Sequence, residues 1–428
     1  MPEHKIKKSL RASFWDGFFA SCMMGFTTEY ITPYALALKA GVNQIGLLSA
    51  VPNLVCSLVQ LKSADATQKA GSRKKAICLF VFLQALTGVP IILIPFLCKG
   101  YEVFALIFFV TLFTSFQGFA NPIWASLMSD HLPRTKRGRY FGWRNTVLGI
   151  VTIACLCLAG IVLQMSRRNV LQGFYIIFLA AAACRFISWY FLTKMYEPVL
   201  HYRKDSYFSF FDFLRRAKES NFARFVFFSA ALHFCVYLAA PFFSVFMLRD
   251  LKFSYITYTV LISTVSLVTI LTIGRWGISA DRVGNVKVLR ITSLFIATLP
   301  LWWIVCRHPL YLILAQAVSG MAWAGFNLCA LNFIYDAATP EKRTRCISYF
   351  YFFNGIAIFF GSLAGGYLAG RMPMLFGYRL LSLFLLAAVL RLMVALFIAP
   401  KIKEVRPVEN VSSRDLFFSI VGLKPALE

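Results

Sequence analysis

Charge is scarce in this sequence. Of 428 residues only 14% are Asp, Glu, Lys or Arg, 59% are hydrophobic, and acidic side chains number 18. A water-soluble chain of this length carries about 25% charged residues, so a soluble enzyme and a secreted domain are excluded. Cysteine has no organisation. The eleven residues stand singly, as at Cys22, Cys56, Cys78, Cys235 and Cys329, and the close pair Cys155 and Cys157 lacks metal-ligand or redox spacing. They read as small core hydrophobes, with no structural disulfide. There is no glycine-rich phosphate loop, which disfavours ATP-driven pumping. No catalytic triad or metal-ligating cluster stands out, so neither an enzyme nor a cofactor is expected.

Long apolar runs, by contrast, fill the chain. Mean hydropathy is +0.68, and 44 Phe, 18 Tyr and 8 Trp cannot all hide in one water-soluble core. A spanning helix needs about 20 apolar residues. Runs of that kind fall near 12–38, 44–61, 76–98, 103–128, 143–165 and 173–194, then near 224–248, 254–275, 288–306, 309–335, 347–370 and 375–399. They are continuously apolar rather than alternating, so helices and not barrel strands are predicted. Twelve spans exclude a single-anchor receptor. The first run follows Lys5, Lys7, Lys8 and Arg11 but is too long for a signal peptide, so it is read as retained.

The net charge of +26 is distributed as membrane topology would have it, and no nucleic-acid partner is expected. Most of the 44 Lys and Arg lie in segments 1–13, 62–75, 129–144, 194–224, 275–290, 342–345 and 400–428, whereas the opposite loops hold few, among them Lys39, Lys99 and Arg249. Both termini and the central loop are therefore expected to be cytoplasmic, in a bacterial-type inner membrane. The expected domains are a six-helix bundle over 1–194, a linker over 195–223, a second bundle over 224–404 and a tail over 405–428. In the linker the apolar residues Phe208, Phe210, Phe211, Phe213 and Leu214 are interspersed with the basic residues Arg203, Lys204, Arg215, Arg216 and Lys218. A basic amphipathic helix at the headgroup boundary and a solvated tether both fit.

The two halves repeat. At an interval of about 206–216 residues, Pro33 meets Pro241, Ser63-Ala64-Asp65 meets Ser279-Ala280-Asp281, and Asn121 meets Asn327. Asp130, Pro133 and Arg137 recur as Asp336, Pro340 and Arg343; Asn145 meets Asn354 and Arg185 meets Arg391. A tandem of two six-helix units in parallel orientation follows.

The loop between spans 8 and 9, Gly277-Ile-Ser-Ala-Asp281-Arg282-Val-Gly284, resembles the signature loop of the major facilitator superfamily, Gly-x-x-x-Asp-Arg-x-Gly followed by basic residues. Its first-half copy is degenerate, with Leu61 in place of the glycine, then Asp65, Gly71 and Arg73. The run Asp130-x-x-Pro133-x-x-x-Arg137-Gly138 is similar to another loop of that superfamily, and the resemblance extends over about residues 12–404. It implies an all-α membrane protein of twelve transmembrane helices in two pseudo-symmetric bundles. It also implies transport of a small solute by alternating access, and a monomer. Span 5 lacks the Gly-Pro pair of the superfamily's drug/proton antiporters. Span 1 lacks the Glu-x-x-Glu-Arg run of its peptide carriers. Independently, Gly277 should let a neighbouring helix approach closely. Asp281 should meet Arg139 and Arg144, and Asp65 should meet Arg343 and Arg345, as a crossed lock on the cytoplasmic side; the alternative is that both aspartates merely offset headgroup-facing basic residues.

Ionisable residues within spans are functional candidates by default. Glu29, past the middle of span 1 beside Thr27, Thr28 and Tyr30, is the leading proton-coupling candidate; a hydrogen-bonded structural acid or a direct substrate ligand are the other readings. His233 in span 7 suits a proton role, a polar substrate contact or aromatic packing. Asp16 is read as a structural partner for Arg144. Arg185 and Arg391 read as a symmetric structural pair whose long side chains can reach the interface. Gln117, Asn121, Trp124, Trp323, Asn327 and Asn332 in spans 4 and 10 form a polar and aromatic set suited to a cavity, and each suits an interhelical hydrogen bond equally. The resemblance places a substrate site on such faces. Transport coupled to protons is the leading expectation. A uniporter, a lipid or lipophile carrier, and a non-transporting receptor or assembly partner are the alternatives.

Overall fold

The computed structural model describes residues 3–63, 67, 71–129, 131, 134–197, 220–339 and 343–408. The linker at 198–219, the tail at 409–428, Asp65, Asp130 and the side chain of Arg137 lie outside the described residues. Span 1 comprises Glu3–Thr27 and Ile31–Ala37; spans 2 to 6 are Val42–Leu61, Arg73–Leu97, Glu102–Ser129, Arg134–Met165 and Val170–Thr193. Span 7 comprises Asn221–Tyr237, Ala240–Val245 and a π turn at Phe246–Asp250. Spans 8 to 12 are Tyr255–Val283, Asn285–Val305, Pro309–Ala337, Arg343–Ala369 and Arg379–Met393. Eleven of these are long and apolar enough to cross a membrane by length and composition; span 1, with basic residues in its first turns, completes the twelve.

Two compact units result, Met1–Tyr202 with Pro241–Thr259, and Arg203–Ala240 with Val260–Glu428. The first unit thus includes the chain between spans 7 and 8. In it span 1 packs against spans 5 and 6, span 3 against spans 4 and 6, and span 2 against span 4. In the second, span 7 packs against spans 11 and 12, and span 9 against spans 10 and 12. Small residues set the approach at corresponding crossings. A Cβ on Gly25 of span 1 would meet the Thr152 carbonyl of span 5, and one on Gly361 of span 11 would meet the Phe234 carbonyl of span 7. Gly118 does the same for spans 4 and 2, Gly320 for spans 10 and 8. Aromatic rings fill the rest: Phe225 stacks on Phe350 with centroids 5.5 Å apart in the second unit, and Tyr34 packs on Phe174 and Phe178 in the first.

Spans 1 and 7 break at repeat-related places. Proline supplies no N–H and its ring crowds the carbonyl four residues back. Pro33 therefore strands the carbonyl of Glu29, and the helix opens at 28–30. The hydroxyl of Tyr258 donates to that carbonyl at 2.7 Å. Tyr30 donates to the Leu156 carbonyl at 2.8 Å and lies 2.6 Å from Thr259 Oγ1. In span 7 the break falls at 238–239, just before Pro241. There the Arg391 guanidinium donates to the carbonyls of Val236 at 3.1 Å, Ile296 at 3.2 Å and Cys235 at 3.4 Å. A cation at a helix C-terminus satisfies open carbonyls and the helix dipole together.

Candidate functional site: a charged cavity in the first unit

Spans 1, 3, 4, 5 and 6 line an open cavity of about 190 Å³ walled by Asp16, Ser21, Asn121, Trp124, Arg144 and Arg185, among others. Three of these are charged and nearly buried, with 4% exposure at Asp16 and 6% at each arginine. Charges at such depth persist only with partners. Span 6 presents Arg185 and Ser188 one turn apart on one face. Ser188 Oγ donates to Asp16 Oδ1 at 2.7 Å, and Arg185 donates to Ser188 Oγ at 3.1 Å and to Gln84 Oε1 at 2.8 Å. The acid and Arg185 are thereby joined through one hydroxyl. Arg144 is held differently. It donates to the Ser13 carbonyl at 3.0 Å, and its guanidinium lies over the Trp124 ring, 4.7 Å from the centroid.

The residues singled out from sequence fall into separate groups. Asn121 and Trp124 line this cavity with Asp16. His233 and Trp323 meet in the second unit, ring centroids 6.0 Å apart, with Phe326 against both. Nδ1 of His233 lies 2.8 Å from the Ser229 carbonyl, and Ser229 Oγ donates to Asn354 Oδ1 at 3.1 Å. Asn327 is exposed, while Gln117 and Asn332 are half-buried. Glu29 sits in the break of span 1 and is half-buried; among the described residues its carboxylate meets no hydrogen-bond or ion-pair partner. Arg185 and Arg391, expected to reach the interface, are instead buried at 6% and 3% exposure, because carbonyls, an amide and a hydroxyl inside the bundles take their donors. Asp16 was paired with Arg144 from sequence; its hydrogen bond runs to Ser188. Gln84 and Ser188 went unremarked, although Gln84 is the one amide within the apolar run of span 3.

The family model described as Major Facilitator Superfamily matches residues 17–238 and 225–426. The chain belongs to the Major Facilitator Superfamily. Solved structures of similar fold include the nucleoside transporter NupG, with TM-score 0.71 and 15% identity over 92% of this chain and 99% of that one. The D-xylose-proton symporter gives TM-score 0.72 and 11% identity over 94% and 99%. A bacterial homologue of the human lysosomal transporter Spinster gives TM-score 0.70 and 14% identity over 92% and 96%. No curated protein matches the sequence.

In each unit, chain that follows the last span holds the loop that resembles the superfamily's signature. Asp281 lies 3.8 Å from Arg406, and Arg406 pairs with Asp336 at 2.9 Å. Asp336 also accepts from Asn285 at 2.7 Å. Arg282 is half-buried. Gly284 precedes span 9 with φ +87°, a left-handed conformation suited to glycine, and Glu404 accepts from Val286 N at 2.8 Å. Gly277 departs from expectation: the nearest atom to a Cβ there is Leu328 Cδ2 at 3.8 Å, an ordinary contact, since it lies within span 8 and not at a crossing. In the first unit Gly71 has φ +64°, and Glu197 accepts from Arg73 N at 2.6 Å and Ser72 Oγ at 2.5 Å. Arg73 also donates to Ser126 at 3.2 Å. Arg343 donates to the Tyr335 carbonyl at 3.0 Å. The pairing of Glu197 with Glu404 was missed. Their separation matches the repeat interval, which is the signal that finds them.

Proposed function

We propose that this superfamily member moves a small polar solute across the membrane by alternating access, without chemical conversion, and that proton movement drives it. One observation carries the reading: Asp16, Arg144 and Arg185 are buried around about 190 Å³ of space. Intramembrane charges are expensive and mark solute or ion pathways, and a cavity with convergent polar groups is the default binding site. Glu29 is the proposed proton-linked group, because a carboxyl without a partner gains or loses a proton without breaking an ion pair. His233 is the second candidate. Asn121 and Trp124 would contact solute in the first unit; Trp323, Asn327, Gln117 and Asn332 are the further cavity candidates.

The proposed frame is a monomer in a bacterial-type inner membrane with both termini cytoplasmic. Its bundles are 1–194 and 224–404, joined by the linker 195–223, with 405–428 as tail. Asp65, Gly71, Arg73, Asp130 and Arg137, with Gly277, Asp281, Arg282, Gly284, Asp336 and Arg343, form the proposed gating loops. That the D-xylose-proton symporter shares the fold makes proton coupling a natural first test. Liposomes holding the protein and an internal pH dye should report proton movement with a transported solute, lost in Glu29→Gln. Uptake without proton movement would leave a uniporter and remove Glu29 from coupling. Silence toward solutes, with lipid movement or a stable protein complex, would favour the carrier of lipids or the receptor.

A further inference from the structure

We infer that the cavity lined by spans 1, 3, 4, 5 and 6 binds a small organic monoanion, a carboxylate, at Arg144; the inference names the substrate class of the transport site proposed above. The argument is one of charge and donors. Asp16 and Arg185 carry opposite charges and share Ser188, and Asp16 also attracts Arg144. One acid faces two guanidinia, so one positive charge is left over, and Arg144 is the arginine without a hydrogen bond to the shared hydroxyl. Its acceptor in the bundle is the uncharged Ser13 carbonyl, and among the described residues no carboxylate lies within ion-pair distance of it. Its Nε has no acceptor among the described residues, and the Trp124 ring on the same cavity wall carries the guanidinium face.

Two guanidinia against one carboxylate on the wall, with Arg144 6% exposed, define what a ligand must supply: one negative charge, with acceptors for the guanidinium edge. A carboxylate does both, and matches the planar fork of arginine with paired hydrogen bonds. A neutral polyol would leave the charge unmatched, and a cation would meet net positive charge. A cavity of about 150 Å³ holds benzene, so about 190 Å³ suits a solute of about six to nine non-hydrogen atoms.

The test is ligand-induced thermal stabilisation and calorimetric binding with the purified full chain in detergent. Glycerate and lactate are the probes, against glycerol and lactamide as neutral counterparts. Carboxylates are expected to bind about tenfold or more tightly than their counterparts, the ratio that one charged hydrogen-bonded contact supplies. Arg144→Gln should abolish that preference, Arg144→Lys should keep part of it, and Trp124→Phe should weaken it. If Arg144→Gln does not fold, Arg144→Lys and Trp124→Phe carry the test. Equal binding of carboxylates and neutral probes, no binding of any probe, or an unchanged preference in the Arg144 variants would overturn the inference. Carboxylate binding without flux in liposomes would keep this site and remove the transport reading. Flux of neutral solutes alone would keep transport and remove this site.

Discussion

At the scale of single residues, the break in span 1 depends on one hydroxyl. Tyr258 donates to the Glu29 carbonyl that Pro33 frees, and a carbonyl left without a partner away from water costs about 1–3 kcal/mol. Tyr258→Phe should therefore destabilise the purified protein by about 1–3 kcal/mol, read as a lower melting temperature, while Tyr255→Phe, at a neighbouring tyrosine without a hydrogen bond among the described residues, should not. An unchanged melting temperature in Tyr258→Phe would show that water serves the carbonyl as well. Gly160 makes a second such point. A Cβ there would overlap the Thr259 side chain, and overpacking of this kind costs about 1–3 kcal/mol. Gly160→Ala should destabilise, and Thr259→Gly in the same chain should recover part of the loss. Sequence pointed to Glu29 for its side chain and to Pro33 as the repeat partner of Pro241. That the backbone of Glu29 is what Tyr258 holds could not be read in advance, because the donor lies more than two hundred residues away in the chain.

Helices in both units are capped at their starts by an acid from the far end of the same unit. Glu197 receives the first amide of span 3, and Glu404 an amide in the first turn of span 9. A negative charge at a helix N-terminus satisfies open donors and the dipole together, and losing a cap costs about 0.5–2 kcal/mol. Hydrogen exchange should accelerate at residues 286–289 in Glu404→Ala and at 73–76 in Glu197→Ala, each without effect on the other. Exchange unchanged at both starts would deny the caps their role. Span 12 supports span 7 in a comparable way. Arg391 bonds three carbonyls from spans 7 and 9, so Arg391→Lys should lower the melting temperature, a point ammonium being unable to reproduce the fork. The spans and their repeat were legible because each is a local pattern, whereas the breaks at Pro33 and Pro241 were not expected. The partners of Arg391, Arg144 and Gln84 were not. A buried arginine has the same one-letter context whether it reaches for water, a carbonyl or an amide, and only packing decides which.

For the whole molecule, substrate charge and coupling constrain each other. One proton moving with one monoanion carries no net charge. A membrane potential, worth about 2.3 kcal/mol per charge at 100 mV, would then do no work on transport, while each unit of pH gradient contributes about 1.4 kcal/mol. Uptake should respond to an imposed pH gradient and ignore a potassium-diffusion potential; the reverse would mean a different solute charge or stoichiometry. The measurement that bears most directly on the account is uptake of labelled glycerate into liposomes with the protein and an internal pH dye, beside protein-free liposomes and the Glu29→Gln variant. The account predicts protein-dependent uptake with acidification of the interior, and loss of the proton signal in the variant. Folded protein that moves neither glycerate nor any sugar, amino acid, organic acid or lipophilic solute would contradict it.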